Sequence, residues 1–108
     1  MTSADAGPHA DSGTPSTTKV VQLRGDVDVA TSAELGEWLC DLVTGPHDVV
    51  VVACEAVTFI ESRGLAMMAR VQRRADDAGC QLTWRDLPLH VLRTIHLCGL
   101  DAYLRIEA

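Results

Sequence analysis

Asp48-Val49-Val50-Val51-Val52-Ala53, followed closely by Val57-Thr58-Phe59-Ile60-Glu61-Ser62-Arg63-Gly64-Leu65, is the stretch that decides the fold. Its first half is a continuous β-branched run, which predicts a strand covered on both faces. Its second half leaves the sheet through a polar trio and enters Leu65, Met68, Val71 and Ala75. That spacing predicts an amphipathic helix, and Gly79 is placed to close it. A buried strand running straight into a helix is the core of a βαβ unit.

Working outward, the same alternation repeats. Upstream, Val20, Val21 and Leu23 predict a short strand ended by Gly25. Thr31 or Ser32 can cap a helix carrying Leu35, Trp38, Leu39, Leu42 and Val43, and Gly45-Pro46 stops it. Downstream, Cys80 to Trp84 is a further strand. Pro88 opens a third helix with Leu89, Leu92, Ile95 and Leu97 inward, Gly99 ends it, and Tyr103 to Ile106 forms a last strand. Strands alternating with helices of this length imply right-handed crossovers and an α/β sandwich.

Residues 1–18 hold Ser, Thr, Pro, Gly, Ala and Asp, with no large aliphatic side chain after Met1. Such a segment buries too little apolar surface to offset its ordering entropy, so a disordered tail is expected there, with one domain over residues 19–108. The net charge of −6 argues against nucleic acid, whose phosphates reward basic surfaces. The longest apolar run, Val49 to Cys54, is far shorter than the roughly 20 residues of a membrane span. No basic start or apolar signal core occurs, so the expected location is the cytoplasm. Cys40, Cys54, Cys80 and Cys98 form no CxxC pair, and with His9, His47, His90 and His96 they complete no zinc pattern. Neither metal nor cofactor is expected. Buried structural thiols are the simplest reading, with a redox switch as the alternative.

The chemistry is concentrated at two corners. Ser62 sits where an N-cap belongs, with a hydroxyl at the positive end of a helix dipole. Gly25-Asp26-Val27-Asp28 is a second acidic turn, and parallel strands would bring both corners to one edge of the sheet. Asp26, Asp28, Glu61 and Ser62 would then share a surface. Met68 is expected in the core, while Met67 is a candidate interface contact. Arg70, Arg73 and Arg74 read as a solvated helix face, and Trp38 and Trp84 as packing residues. An enzyme would need a nucleophile, a base and an orienting group within reach. The sequence offers no Gly-x-Ser-x-Gly and no phosphate-cradling loop, so catalysis is not expected.

From Lys19 to Ile106 the chain resembles a STAS domain of the bacterial anti-sigma factor antagonist kind. The family's glycine-acidic-aliphatic-Asp turn is Gly25-Asp26-Val27-Asp28 here. Its aliphatic-Asp-Ser-Ser/Thr-Gly-Leu motif is Ile60-Glu61-Ser62-Arg63-Gly64-Leu65, and its late Gly-Leu is Gly99-Leu100. The resemblance implies a mixed sheet of four to five strands with three to four helices, mainly on one face. It also implies a binding protein that captures an anti-sigma factor and so frees a sigma factor, regulating transcription. The partner in such systems is an ATP-dependent serine kinase. It phosphorylates the first serine of the motif, here Ser62, and a phosphatase resets the phosphorylated form. The partner surface implied is Asp26, Asp28, Glu61, Ser62, Arg63, Gly64 and Met67.

Three positions depart from the family pattern. Glu61 replaces Asp, Arg63 replaces the second Ser or Thr, and Ala53 stands where many relatives end the buried strand with Asp. A cation beside Ser62 can pair with a phosphate there. The alternative is therefore a scaffold with the same fold that is not phosphorylated, or one controlled through its cysteines. The usual first strand also has no counterpart before Lys19. The Val20–Leu23 strand is then expected near the sheet edge, where weak homodimerisation can occur.

Overall fold

The structure, a computed structural model, describes residues 18–43, 45–46 and 48–107. The tail expected over residues 1–18 lies, apart from Thr18, outside the described residues. Within them the chain runs β1 (Thr18–Val27), α1 (Val29–Leu42), β2 (Val49–Ile60), α2 (Ser62–Ala78), β3 (Gln81–Arg85), α3 (Leu89–Leu97), a 3-10 turn at Leu100–Ala102, and β4 (Ile106–Glu107). The sheet has the order β1-β2-β3-β4, and every described pairing is parallel. The expected α/β class and strand count hold. The antiparallel member that a mixed sheet implies does not occur among the described residues.

Each strand lies beside its predecessor, so each helix is a crossover stepping in the same direction. Right-handed crossovers repeated one way stack their helices on one face. The burial of the strands follows that rule. Val21, Val52 and Trp84 share one register row and Val50 and Leu82 another. Val50, Val52, Leu82 and Trp84 are fully buried. The opposite row, Val20-Val51-Thr83, is open: Val20 is 59% exposed, and Val51 and Thr83 are half-buried. The β-branched run is therefore covered completely on one face only. Because β2 is an interior strand, its neighbours' side chains shade the other face enough for valine to be stable there.

Several elements differ from the sequence expectation, and β2 runs past Ala53 to Ile60. β1 does not stop at Gly25; the glycine takes φ +71 inside the strand, and pairing continues to Val27. The register between β1 and β2 slips twice, between Gln22 and Arg24 and between Gly25 and Asp26, each time giving β2 an extra residue. Such bulges bend the pair and re-aim side chains where strands leave a sheet. α1 is capped by Asp28, not Thr31 or Ser32. In α3 the inward residues are Val91 and Ile95, whereas Leu89 and Leu97 are 62% and 84% exposed. The last strand is only Ile106–Glu107, because residues 100–102 wind into the 3-10 turn.

One cluster forms the core, and its interior includes a polar knot. Gln72 on α2 is fully buried, and its Oε1 accepts from Trp84 Nε1 at 3.0 Å and from the Arg105 backbone at 3.3 Å. An indole N–H cannot be buried without an acceptor at low cost. Gln72 thus ties α2 to β3 and to the chain entering β4. Trp84 is a core residue as expected, while Trp38 is 44% exposed on α1. No described helix is long and apolar enough to cross a membrane.

Candidate functional site

The C-terminal ends of β1 and β2 lie side by side, with Val27 opposite Ile60. Glu61 N donates to Val27 O at 3.0 Å, which holds the two corners together. Gly64 makes this approach possible. A Cβ there would fall 2.8 Å from both Val27 Cγ1 and Ile60 Cγ2, and 3.0 Å from Val27 O. Its role is close packing of α2 on β1, and it is buried. The segment expected as an acidic turn is the end of β1, with Asp28 as the cap of α1, and it stands with the Glu-Ser-Arg trio on one edge of the sheet.

The four residues expected to share this surface do different work. Asp28 Oδ1 accepts from Ala30 N at 3.0 Å and Thr31 N at 3.2 Å, while Thr31 Oγ1 accepts from Asp28 N at 3.1 Å. This reciprocal capping box satisfies donors that the first helical turn leaves unpaired. Asp26 Oδ1 accepts from Thr58 Oγ1 at 2.6 Å across the strand pair. Glu61 is the N-cap residue of α2 and makes no side-chain cap bond. Ser62 is the first helical residue, not the cap; it is exposed, and its hydroxyl has no hydrogen bond among the described residues. One methylene too many separates the Glu61 carboxylate from the compact geometry that Asp28 uses.

Arg63 is exposed and Met67 is 4% exposed, so Met67 meets neighbours chiefly through the packing between α1 and α2. Met68 is in the core as expected. A groove of about 240 Å³ runs between the two helices, lined by Ser32, Ala33, Arg63, Ala66, Met67 and Arg70. On the other side of the corner, His90 on α3 sits with Nε2 2.8 Å from Thr58 O. Thr58 therefore joins β1, β2 and α3 at the site. Phe59, 48% exposed, completes the edge.

Thr58, His90, Ser32 and Arg70 were not singled out for this surface from sequence. Thr58 has a legible signal: it is polar in the strand just before the motif, opposite an acidic turn. The others depend on how helices pack and leave no local signature. The thiols are distributed between core and surface. Cys54 and Cys80 are buried, Cys40 is half-buried and Cys98 is exposed. Burial pushes the Cys54 thiol up to about 12, with the charge of Asp86 acting in the same direction. Burial likewise raises Cys80, with the Asp48 charge adding to it. Among the described residues no cluster of three or more His, Cys, Asp or Glu is placed to hold a metal.

These features are those of a STAS domain, and the family comparison agrees. The family model described as Mlab, STAS domain, matches residues 11–106, and the chain belongs to that family. No curated protein matches. Among solved structures, a Thermotoga maritima protein assigned as an anti-sigma factor antagonist superposes with a TM-score of 0.71 at 17% identity, covering 82% of this chain and 79% of that one. The STAS domain of a SulP transporter from Vibrio cholerae gives a TM-score of 0.67 at 13% identity, covering 93% and 80% respectively. At these identities both relatives establish a shared fold.

Proposed function

We propose that this protein is an anti-sigma factor antagonist whose partner surface is the edge formed by the β1–α1 and β2–α2 corners, switched off by phosphorylation of Ser62. The observation that carries this reading is Ser62 itself: an exposed, unbonded hydroxyl on the first residue of α2, at the position of the family's phosphoacceptor. The unphosphorylated domain, residues 19–108, captures an ATP-dependent anti-sigma factor in the bacterial cytoplasm and frees its sigma factor. Phosphorylation by that same kinase releases the complex, and a phosphatase restores binding. The protein contributes a surface, and the kinase contributes the chemistry.

The switch follows from charge. A phosphate adds roughly −1.5 to −2 charges at pH 7. An uncompensated charge in a packed interface costs on the order of 3–5 kcal/mol, which is about a hundredfold or more in affinity. The domain itself tolerates the group, because a helix N-terminus accommodates an anion and the first N–H donors of α2 receive no side-chain cap. Asp28 supports the surface by fixing α1, and Asp26 by bonding Thr58.

Intact-mass spectrometry after incubation with ATP and a panel of anti-sigma kinases from the same cell tests the reading. One added phosphate that vanishes in Ser62→Ala is the expected result, with Ser62→Glu losing about a hundredfold in partner affinity. Arg63 favours a second reading, because a cation next to Ser62 can neutralise a phosphate. In that case the protein is a constitutive STAS scaffold of the same fold. Ser62→Ala and Ser62→Glu would then bind the partner equally, and no phosphate would appear on Ser62.

A further inference from the structure

The groove between α1 and α2 has a composition that a merely structural seam does not require. Its walls are Ala33, Ala66 and Met67, and its polar groups are two guanidinium side chains, Arg63 and Arg70, and the Ser32 hydroxyl. The chain carries a net charge of −6, yet neither arginine forms an ion pair among the described residues. Ser32 is 6% exposed and contributes its hydroxyl to the groove lining. Arg70 occupies a prepared place. Gly36 on α1 has no side chain, and a Cβ built there would collide with the Arg70 guanidinium and lie 2.9 Å from Met67 Cγ. Glu37 and Asp41 border the next groove along the helices, which Arg70 lines together with Arg74.

From this arrangement we infer that the groove is a specificity pocket for a carboxylate side chain, carried on an otherwise apolar segment of the partner. The inference rests on the proposed antagonist function and names the chemistry of the partner surface. Guanidinium groups pair with carboxylates through parallel N–H···O bonds, which fix orientation as well as adding affinity. Ser32 supplies a further donor at the floor, and the alanine and methionine walls receive the apolar residues on either side of the acid. Arg63 begins this groove directly beside Ser62, so the pocket and the phosphoacceptor belong to one interface. The departure of Arg63 from the family motif is then a selector for an acidic partner.

The test uses the full chain and the anti-sigma factor found in the kinase panel, with affinity read by interferometry at two salt concentrations. Arg63→Glu and Arg70→Glu should each weaken binding at least tenfold and flatten its salt dependence. Arg73→Glu, on the exposed face of α2 outside the groove, should stay within twofold of wild type. Replacing one acidic residue of the partner by Lys should restore binding to Arg63→Glu. All three arginines are exposed, so circular dichroism should show unchanged folding. If Arg63→Glu and Arg70→Glu lose no more affinity than Arg73→Glu while Ser62→Glu still loses about a hundredfold, the pocket is overturned and the antagonist reading stands. If no anti-sigma factor binds the wild-type chain, both are overturned.

Discussion

Two helices start at the same edge of the sheet, a few residues from each other in register, and they start differently. α1 begins at Asp28 with a closed capping box, its first donors satisfied by a carboxylate and its cap N–H by Thr31. α2 begins at Glu61 with no side-chain cap at all, and Ser62 follows it into solvent. Capping stabilises a helix terminus by about 1 kcal/mol. The α2 start forgoes that term, and its unpaired donors and positive dipole end face outward. The contrast separates a corner built for rigidity from one left open to an anion. The rigid corner holds the open one in place, through Glu61 N on Val27 O and Thr58 on Asp26.

The largest effect on this pairing is expected at Gly64. Gly64→Ala places a methyl group against Val27 and Ile60, with a backbone oxygen among the atoms it meets, so rotamer changes cannot relieve it. A loss of about 1–3 kcal/mol in urea unfolding is expected, and a neutral result would show that the corners are not tightly docked. Asp28→Ala should come next, at about 1 kcal/mol, because it removes the capping box from α1. Glu61→Ala should change stability by less than about 0.5 kcal/mol, since no cap bond is lost. Equal losses for the two acids would erase the contrast.

A smaller substitution sharpens the same comparison. Glu61→Asp shortens the carboxylate to the length that caps α1, so a gain of about 0.5–1 kcal/mol is expected in thermal or urea unfolding. No gain would mean that the backbone at residue 61, not side-chain length, prevents capping. The smallest effect at neutral pH lies beneath the site, in β2. Cys54 titrates at 9.0 when unperturbed and at about 12 when folded. Between those values the native thiol keeps a proton that the unfolded chain has lost. Stability is therefore full below the lower value and falls as pH rises through the window. Cys54→Ala should flatten that alkaline decline by up to about one proton, read as the pH slope of urea midpoints. Identical slopes would place the thiol in a wetter setting than the structure gives it.

Much of the architecture was legible in residues 48–65 because a β-branched run and a helix-spaced pattern impose different periods, and no tertiary contact is needed to tell them apart. The α/β alternation, the Gly79 and Gly99 stops and the position of Trp84 in the core all follow from local rules. Helix starts were less legible. Asp28, Thr31 and Ser32 are all good caps by composition, and Asp28 acts as the cap because the β1–β2 register carries β1 as far as Val27. The inward face of α3 was also ambiguous. Leu89 and Leu97 are apolar enough for a core, yet the rotation of a short helix is fixed by its packing partners, which chose Val91 and Ile95.

The site divides along the same line. The sequence alone determined that Ser62 stands between a buried strand and an amphipathic helix, and that an acidic segment, Asp26 to Asp28, precedes it in the chain. That Asp26 and Val27 are the end of β1 and not a turn was decided by the strand pairing. Only the tertiary structure decided that Asp28 serves as a cap, that Asp26 binds Thr58, that His90 reaches Thr58 from α3, and that Arg63 and Arg70 flank a groove floored by Ser32. The physical reason is range. Backbone periodicity and glycine stops act within a few residues, where the sequence records them directly. Apart from the local cap at Asp28, the hydrogen-bond partners and groove walls come from segments some thirty residues apart, as the 32-residue separation of Thr58 from Asp26 illustrates.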